Sequence, residues 1–283
     1  MSDLLQSEQN GRVLRLVLNR PEKRNALNFE LCRLLVDAIG HANRDPQIGV
    51  IVLAGAGDCF SAGMDIGEVQ DLRPETIGNV HEQLFTLSAR LSKPLIGEVQ
   101  GAAYGGGVGL VANCHIVLAA EGAKFGLTEI RLGLWPFLVF RAISVALGER
   151  RAVELALTGR IFDAAEAKQM GLVQEIARDL PKRAMEVAWQ LGEASPSAIR
   201  SGLSFVHEVR GKDWEMAGLI ARRVREEVFH TGDFNEGIRA FREKRKPKWP
   251  SLELQTTGPG GVSLAPHSGP ASDEPGNSGR ETP

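Results

Sequence analysis

PLIGEVQGAAYGGGVGLVANCHIVLA, Pro94 to Ala119, joins two short apolar runs through a glycine loop and one helical segment. PLIGEVQG, Pro94 to Gly101, reads as a strand, since so short an apolar run suits a strand buried on both faces. AAYGGGVG is a glycine loop, and Val108 to Cys114 reads as a helix opening directly from it. Ile116 to Ala119 is the next strand, and the turn beyond it ends near Glu129. Strand, loop, helix and strand in that order predict an α/β fold. In such folds the loops at the carboxyl ends of strands gather at one site.

The same logic recurs upstream. GVIVLAGAG, Gly49 to Gly57, reads as another buried strand, and its loop DCFSAGMDIGEV leads into a helix. Before it come a strand, Val13 to Asn19, the turn-rich RPEKRNALN, and an amphipathic helix from Phe29 to Ala42. Asn28 is the expected N-cap of that helix. A further helix is predicted over residues 76–91, stopped before Pro94. From Arg141 to Arg210 the pattern is helical apart from a short strand at Gly171 to Ala177. Two more helices, Lys212 to Glu227 and Asp233 to Glu243, follow. From Ser251 the last 33 residues hold six glycines, five prolines and no aromatic residue. Such a segment buries too little apolar surface to offset its ordering entropy, so a disordered tail is expected. The expected division is a core at 1–190, a helical region at 191–250 and the tail at 251–283.

Composition narrows the function classes. With 43% hydrophobic and 24% charged residues and a formal net charge of −2, the 283-residue chain has an ordinary globular make-up. Neither nucleic acid nor membrane is an expected partner. The basic run Arg242, Lys244, Arg245, Lys246 and Lys248 reads as a solvated helix end. Cys32, Cys59 and Cys114 are dispersed, which fits free thiols in a reducing compartment. No secretory leader or membrane span is read, because the apolar stretch from Pro94 to Ala120 is broken by Glu98, Asn113 and His115. The cytosol is the expected location.

The chemistry is sought in the two glycine-containing loops. Gly105-Gly106-Gly107-Val108-Gly109-Leu110 lacks the last glycine of a dinucleotide fingerprint, and no G-K-[ST] follows it. No G-x-S-x-G elbow or H-E-x-x-H motif is present, and no metal site is expected. What remains is a run of small residues whose backbone N–H groups are free to bind negative charge, unless the glycines serve packing alone. Ser61-Ala62-Gly63-Met64-Asp65 likewise follows a buried strand and precedes a helix. Two such loops place two N–H donors on one oxygen, which is an oxyanion hole.

SAGMDI (Ser61 to Ile66), GAAYGGGVGLVANC (Gly101 to Cys114) and AKFGLTEIRLGLWP (Ala123 to Pro136) together resemble the crotonase superfamily, the enoyl-CoA hydratase/isomerase family. RPEKRNALN (Arg20 to Asn28), LTGRIFDAAEAKQMGLVQEI (Leu157 to Ile176) and EGIRAFREKRKPKW (Glu236 to Trp249) match it as well, so the likeness spans about residues 5 to 250. The resemblance implies a ClpP/crotonase-like spiral of ββα units with a helical C-terminal trimerisation region. It also implies a homotrimer or dimer of trimers, an acyl-CoA substrate, and no cofactor beyond the coenzyme A that the substrate carries.

By the same resemblance, the backbone N–H groups of Met64 and Gly106 form the oxyanion hole, and Glu129 carries the proton. Lys23, Arg24, Ala26, Ala62, Asp65, Ile66 and Gly105 match the substrate- and CoA-binding segments, with Asp65 also suited to fixing its own turn. Leu127, Leu134, Trp135 and Phe137 are candidates for an apolar acyl pocket, which would raise the Glu129 pKa. Hydratases of the family carry a second glutamate three residues beyond the oxyanion glycine. Here that place is Gly109. One carboxylate suffices for a double-bond isomerase, so isomerisation is the expected reaction. Hydration of a 2-enoyl-CoA is the alternative, and a catalytically weak acyl-CoA-binding protein the alternative of another class. His115 and Glu98 are read as structural.

Overall fold

The computed structural model describes residues 3–69 and 74–253. The chain opens with an antiparallel pair, β1 (Leu5–Asn10) and β2 (Val13–Leu18), and then α1 (Phe29–Arg44). The Asn28 side chain accepts from Leu31 N at 3.1 Å, so α1 starts at the expected cap. Three similar units follow. Each has a strand in a large sheet, a short strand in a small sheet, and helix: β3 (Val50–Gly55), β4 (Cys59–Ser61), α2 (Ile66–Val69) and α3 (Pro74–Phe85) make the first. The second is β5 (Leu95–Val99), β6 (Ala102–Tyr104) and α4 (Gly106–Ala112). The third is β7 (Ile116–Ala119), β8 (Lys124–Gly126) and α5 (Phe137–Leu147). After α6 (Glu149–Thr158) come β9 (Ile161–Asp163), α7 (Ala164–Met170), β10 (Glu175–Ile176) and α8 (Leu180–Gly192). The C-terminal part holds α9 (Pro196–Glu208), α10 (Trp214–Phe229), α11 (Gly232–Glu243) and the short α12 (Pro250–Glu253).

The six-stranded sheet runs β1-β2-β3-β5-β7-β10 and is parallel from β2 onward. The four-stranded sheet runs β4-β6-β8-β9, with only β9 antiparallel. Each unit advances both sheets by one strand, so the chain winds as a spiral. The main core lies between the sheets and α1, α4 and α5, around Leu16, Leu31, Phe60 and Phe125. A smaller cluster, with Val50, Val52, Ile96 and Ala188, seals the other face under α8. Among the described residues no helix is long and apolar enough to cross a membrane.

Several details differ from the expectation. β1 exposes all but Leu5, so it has no apolar alternation to betray it. The small-sheet strands are three residues each, too short for periodicity to register. The helix expected over residues 76–91 stops at Phe85 and continues as a 3-10 turn, Leu87–Arg90. Thr86 Oγ1 donates to Glu82 O at 2.8 Å, a local bond of the kind that competes with helix continuation. α8 runs past the boundary expected at residue 190. At the C-terminus, Ser251 donates through N and Oγ to Asp233, so chain order extends past the expected start of the tail. The rest of that tail, residues 254–283, lies outside the described residues.

Glu98 sits in β5 at 3% exposure and is met by Arg15, whose Nη2 and Nε donate at 2.7 and 3.1 Å. The pairing is structural, as expected. His115 is also structural, its Nδ1 accepting from Leu95 N at 2.9 Å. Replacing Arg15 by methionine leaves the Glu98 carboxylate buried without its cation, which typically costs about 3 kcal/mol. Urea unfolding of Arg15→Met against the parent is expected to show a loss of that order.

Candidate active site

Three chain segments meet at the carboxyl ends of β4, β6 and β8. Because these strands are parallel neighbours, Ser61 pairs with Ala103 and Tyr104 with Gly126, so Ala62–Met64, Gly105–Gly106 and Leu127–Glu129 emerge side by side. The convergence of loops expected at strand ends therefore occurs in the small sheet, whose strands the sequence left unread.

The first loop is laced to residues 20–27. Ala62 N donates to Arg24 O at 2.9 Å, Leu27 N to Gly63 O at 2.7 Å, and Asp65 N to Leu27 O at 3.1 Å. Arg20 Nη1 bridges Ala26 O and the Asp65 carboxylate at 2.7 and 3.0 Å. Buried Asn25 ties the same turn to β4 through Cys59 O at 2.6 Å. This ladder uses the carbonyl of Gly63 and the N–H of Asp65, on either side of the Met64 N–H. The Met64 N–H itself makes no hydrogen bond with a described group, and neither does the N–H of Gly106, the first residue of α4.

The two free amides are close neighbours. A methyl built on Gly63 would stand 2.6 Å from Tyr104 O and 3.0 Å from Gly106 N. With φ at 86° as well, position 63 admits only glycine without strain. α4 begins two residues earlier than expected, so the glycine run forms its first turn rather than a loop before it.

Glu129 rides on the 3-10 turn Thr128–Leu132 after β8, closed by Leu134 N donating to Glu129 O at 3.1 Å. Its Oε1 would stand 3.0 Å from a methyl on Gly105, which places the carboxylate over the amide preceding Gly106. Its Oε2 is buried with no hydrogen-bond partner among the described residues. Burial raises the Glu129 pKa above the usual carboxylate range.

A cavity of about 240 Å³ joins these groups. Ala62, Met64, Ile66, Gly105, Gly106 and Glu129 all line it. Leu134, Trp135 and Phe137 line it as expected, but Leu127 does not, being wholly buried in the core behind. Lys23 and Arg24 are exposed outside the cavity, Ala26 is half-buried, and Asp65 is engaged with Arg20. Of these four, Arg24, Ala26 and Asp65 hold the loop that carries Met64.

Gly109 is not an empty place. A methyl there would lie 2.3 Å from Val139 Cγ1 and 3.1 Å from Phe85 Cδ1, so α5 and α3 have filled it with hydrocarbon. Sequence reading missed Val139, Phe85 and His81, all of which line the cavity. The four-residue spacing of His81 and Phe85 places them on one helix face, the sole signal available.

The arrangement holds two unoccupied N–H donors beside an apolar cavity and one carboxyl with raised proton affinity. Such a site stabilises negative charge on one oxygen while a proton moves nearby. The enoyl-CoA hydratase/isomerase family model matches residues 8–252. An enoyl-CoA hydratase of Mycobacterium tuberculosis is 34% identical over 255 residues, covering 86% of this chain and 94% of that protein. The 2,3-dehydroadipyl-CoA hydratase of Escherichia coli is 35% identical over 252 residues, covering 87% and 98%. The crystal structure of an enoyl-CoA hydratase from Bacillus anthracis superposes with a TM-score of 0.83 at 30% identity, covering 88% of this chain and 99% of that one.

Two outcomes follow from the packing. Gly109→Ala drives a methyl into Val139 and is expected to cost about 2 kcal/mol by overpacking, read as a lowered denaturation midpoint. For Glu129, the folded protein holds the carboxyl proton more tightly than the unfolded chain does. Stability therefore falls as pH rises from the ordinary carboxylate pKa through the raised one. Glu129→Gln, which cannot ionise, is expected to gain stability over the parent across that window and to keep the gain at neutral pH. In stronger acid the difference disappears; denaturant titrations at both ends of the range check it.

Proposed function

The chain belongs to the enoyl-CoA hydratase/isomerase family and is an enzyme of that type, and on this footing we propose that it isomerises enoyl-CoA thioesters through Glu129. In this reading the thioester carbonyl oxygen accepts from the N–H groups of Met64 and Gly106. Glu129 removes a proton from C2 of a 3-enoyl thioester. The C–H electron pair moves toward the carbonyl and leaves a dienolate whose negative charge rests on the oxygen. The same carboxyl returns the proton at C4, and the double bond ends between C2 and C3. A preorganised donor of this kind is worth about 3 kcal/mol at the transition state. The raised proton affinity of Glu129 suits a group that must both take and give a proton near neutral pH.

The observation that carries isomerisation is Val139 packed over Gly109, which leaves one carboxylate in the cavity. Hydration of a 2-enoyl-CoA is the second reading, favoured by relatives that are named as hydratases. In both, coenzyme A enters as part of the substrate, and exposed Lys23 and Arg24, outside the cavity, meet its phosphates. Assembly as a homotrimer or dimer of trimers belongs to the same reading. It is supported by large apolar side chains left exposed on the C-terminal helices, Trp214 at 96% and Phe241 at 85%.

Glu129→Gln is expected to lower conversion of 3-enoyl-CoA to 2-enoyl-CoA by about a thousandfold while acyl-CoA binding survives. The conjugated 2-enoyl product is followed by its absorbance and binding by calorimetry. A fully active variant would refute the assignment of Glu129. Tight binding with no turnover by the parent would instead favour an acyl-CoA-binding protein.

A further inference from the structure

We propose that His81 is the second proton-transfer residue of this cavity, the base that takes a proton from water as that water adds to C3 of a 2-enoyl thioester. The proposal rests on the reading of Met64, Gly106 and Glu129 given above and extends it to a second reaction.

His81 and Glu129 are the two titratable side chains among those lining the cavity. Glu129 lies against Gly105. Phe85, one helical turn after His81, lies against Gly106 and Gly109, 3.2 and 3.1 Å from methyls built there. The His81 ring is 6.1 Å from the Phe85 ring, so the imidazole is one aromatic ring removed from Gly106 and from Gly109, the place of the missing second carboxylate.

A histidine serving only as core has its nitrogens engaged or sealed. His115 shows both, with Nδ1 bonded to Leu95 N and Nε2 enclosed. Both nitrogens of His207 are enclosed. His81 is 7% exposed and its nitrogens make no hydrogen bond with a described group, yet the residue lines the cavity.

The protonation states match the roles. Burial lowers the His81 pKa against the opposing effect of Glu68, and burial raises that of Glu129. A neutral imidazole and a proton-retaining carboxyl form a base and acid pair. Water loses a proton to an imidazole nitrogen as its oxygen bonds to C3. The C2–C3 double-bond electrons move onto the thioester, whose oxygen is held by the two amides, and Glu129 then delivers its proton to C2. The imidazolium proton returns to Glu129 through solvent, so water and enoyl thioester give the 3-hydroxyacyl thioester with the protein unchanged.

The test compares parent, His81→Gln, His81→Phe and Glu129→Gln as full-length chains on a short 2-enoyl-CoA. Hydration is followed by loss of conjugated absorbance, and exchange of acyl-CoA α-protons in deuterated water by NMR. His81→Phe keeps a ring in the wall, so it controls for lost packing in His81→Gln. Both His81 variants are expected to lose hydration by about a hundredfold and α-proton exchange by far less; Glu129→Gln loses both. Hydration by either His81 variant at parental rates overturns the proposal. So does a parent that exchanges α-protons but never hydrates. A parent that does neither removes the enolate reading itself and the proposal with it, and the missing exchange identifies that failure.

Discussion

The site depends on one close approach of backbone to backbone. Gly63 lies so near Tyr104 O and Gly106 N that any side chain there would separate the two loops. Everything that holds the site in shape serves this contact. Residues 20–27 lace Ala62, Gly63 and Asp65 into a fixed turn, and Asn25 fastens that turn to β4. Parallel pairing of β4, β6 and β8 then fixes how far each loop protrudes. Two free amides result without any side chain being spent on them, which explains how the chemistry tolerates methionine at position 64.

A cost accompanies that geometry. The carboxyl of Glu129 leaves Oε2 buried without a partner among the described residues, in a wall made largely of leucine, proline, tryptophan, phenylalanine and other apolar side chains. Burying a charge without a partner is unfavourable, and here the penalty appears as raised proton affinity instead of local unfolding. In the proposed role, the same penalty is what makes the carboxyl useful. A more comfortable Glu129, hydrogen-bonded on both oxygens, would hold its charge and surrender the capacity to keep a proton.

The α/β alternation and the identity of the loops were legible in sequence because both leave local marks, while the spiral was implied by the family resemblance. Buried strands read as unbroken apolar runs, and Asn28 caps α1 where its side chain predicts. The small sheet was not legible, since three-residue strands carry no period, although it is what aligns Met64, Gly106 and Glu129. Gly109 shows a different limit. Its lack of a side chain is plain in the sequence, but the hydrocarbon that replaces one comes from Phe85 and Val139, 24 and 30 residues away in the chain. His81 was illegible for the same reason: beyond its four-residue spacing from Phe85, the helix carrying it does not show which face meets the cavity. Leu127, adjacent to the turn that holds Glu129, points into the core instead because β8 has just delivered it there.

In the proposed reading the choice of reaction lies at the contact between α4 and α5 rather than at either residue alone. The turn that presents Glu129 runs through Leu134, Trp135 and Pro136, all lining the cavity, directly into α5, and α5 brings Val139 back onto Gly109. One short segment thus carries Glu129 and also fills the space beside Gly109. An acidic side chain at position 109 alone would collide with Val139, and a smaller residue at 139 alone would leave a gap beside a glycine. The two positions must change together, so their effects are coupled as those of neighbouring sites generally are. Any second proton carrier compatible with this packing has to come from elsewhere in the wall, and α3 is the element whose side chain already faces the same space.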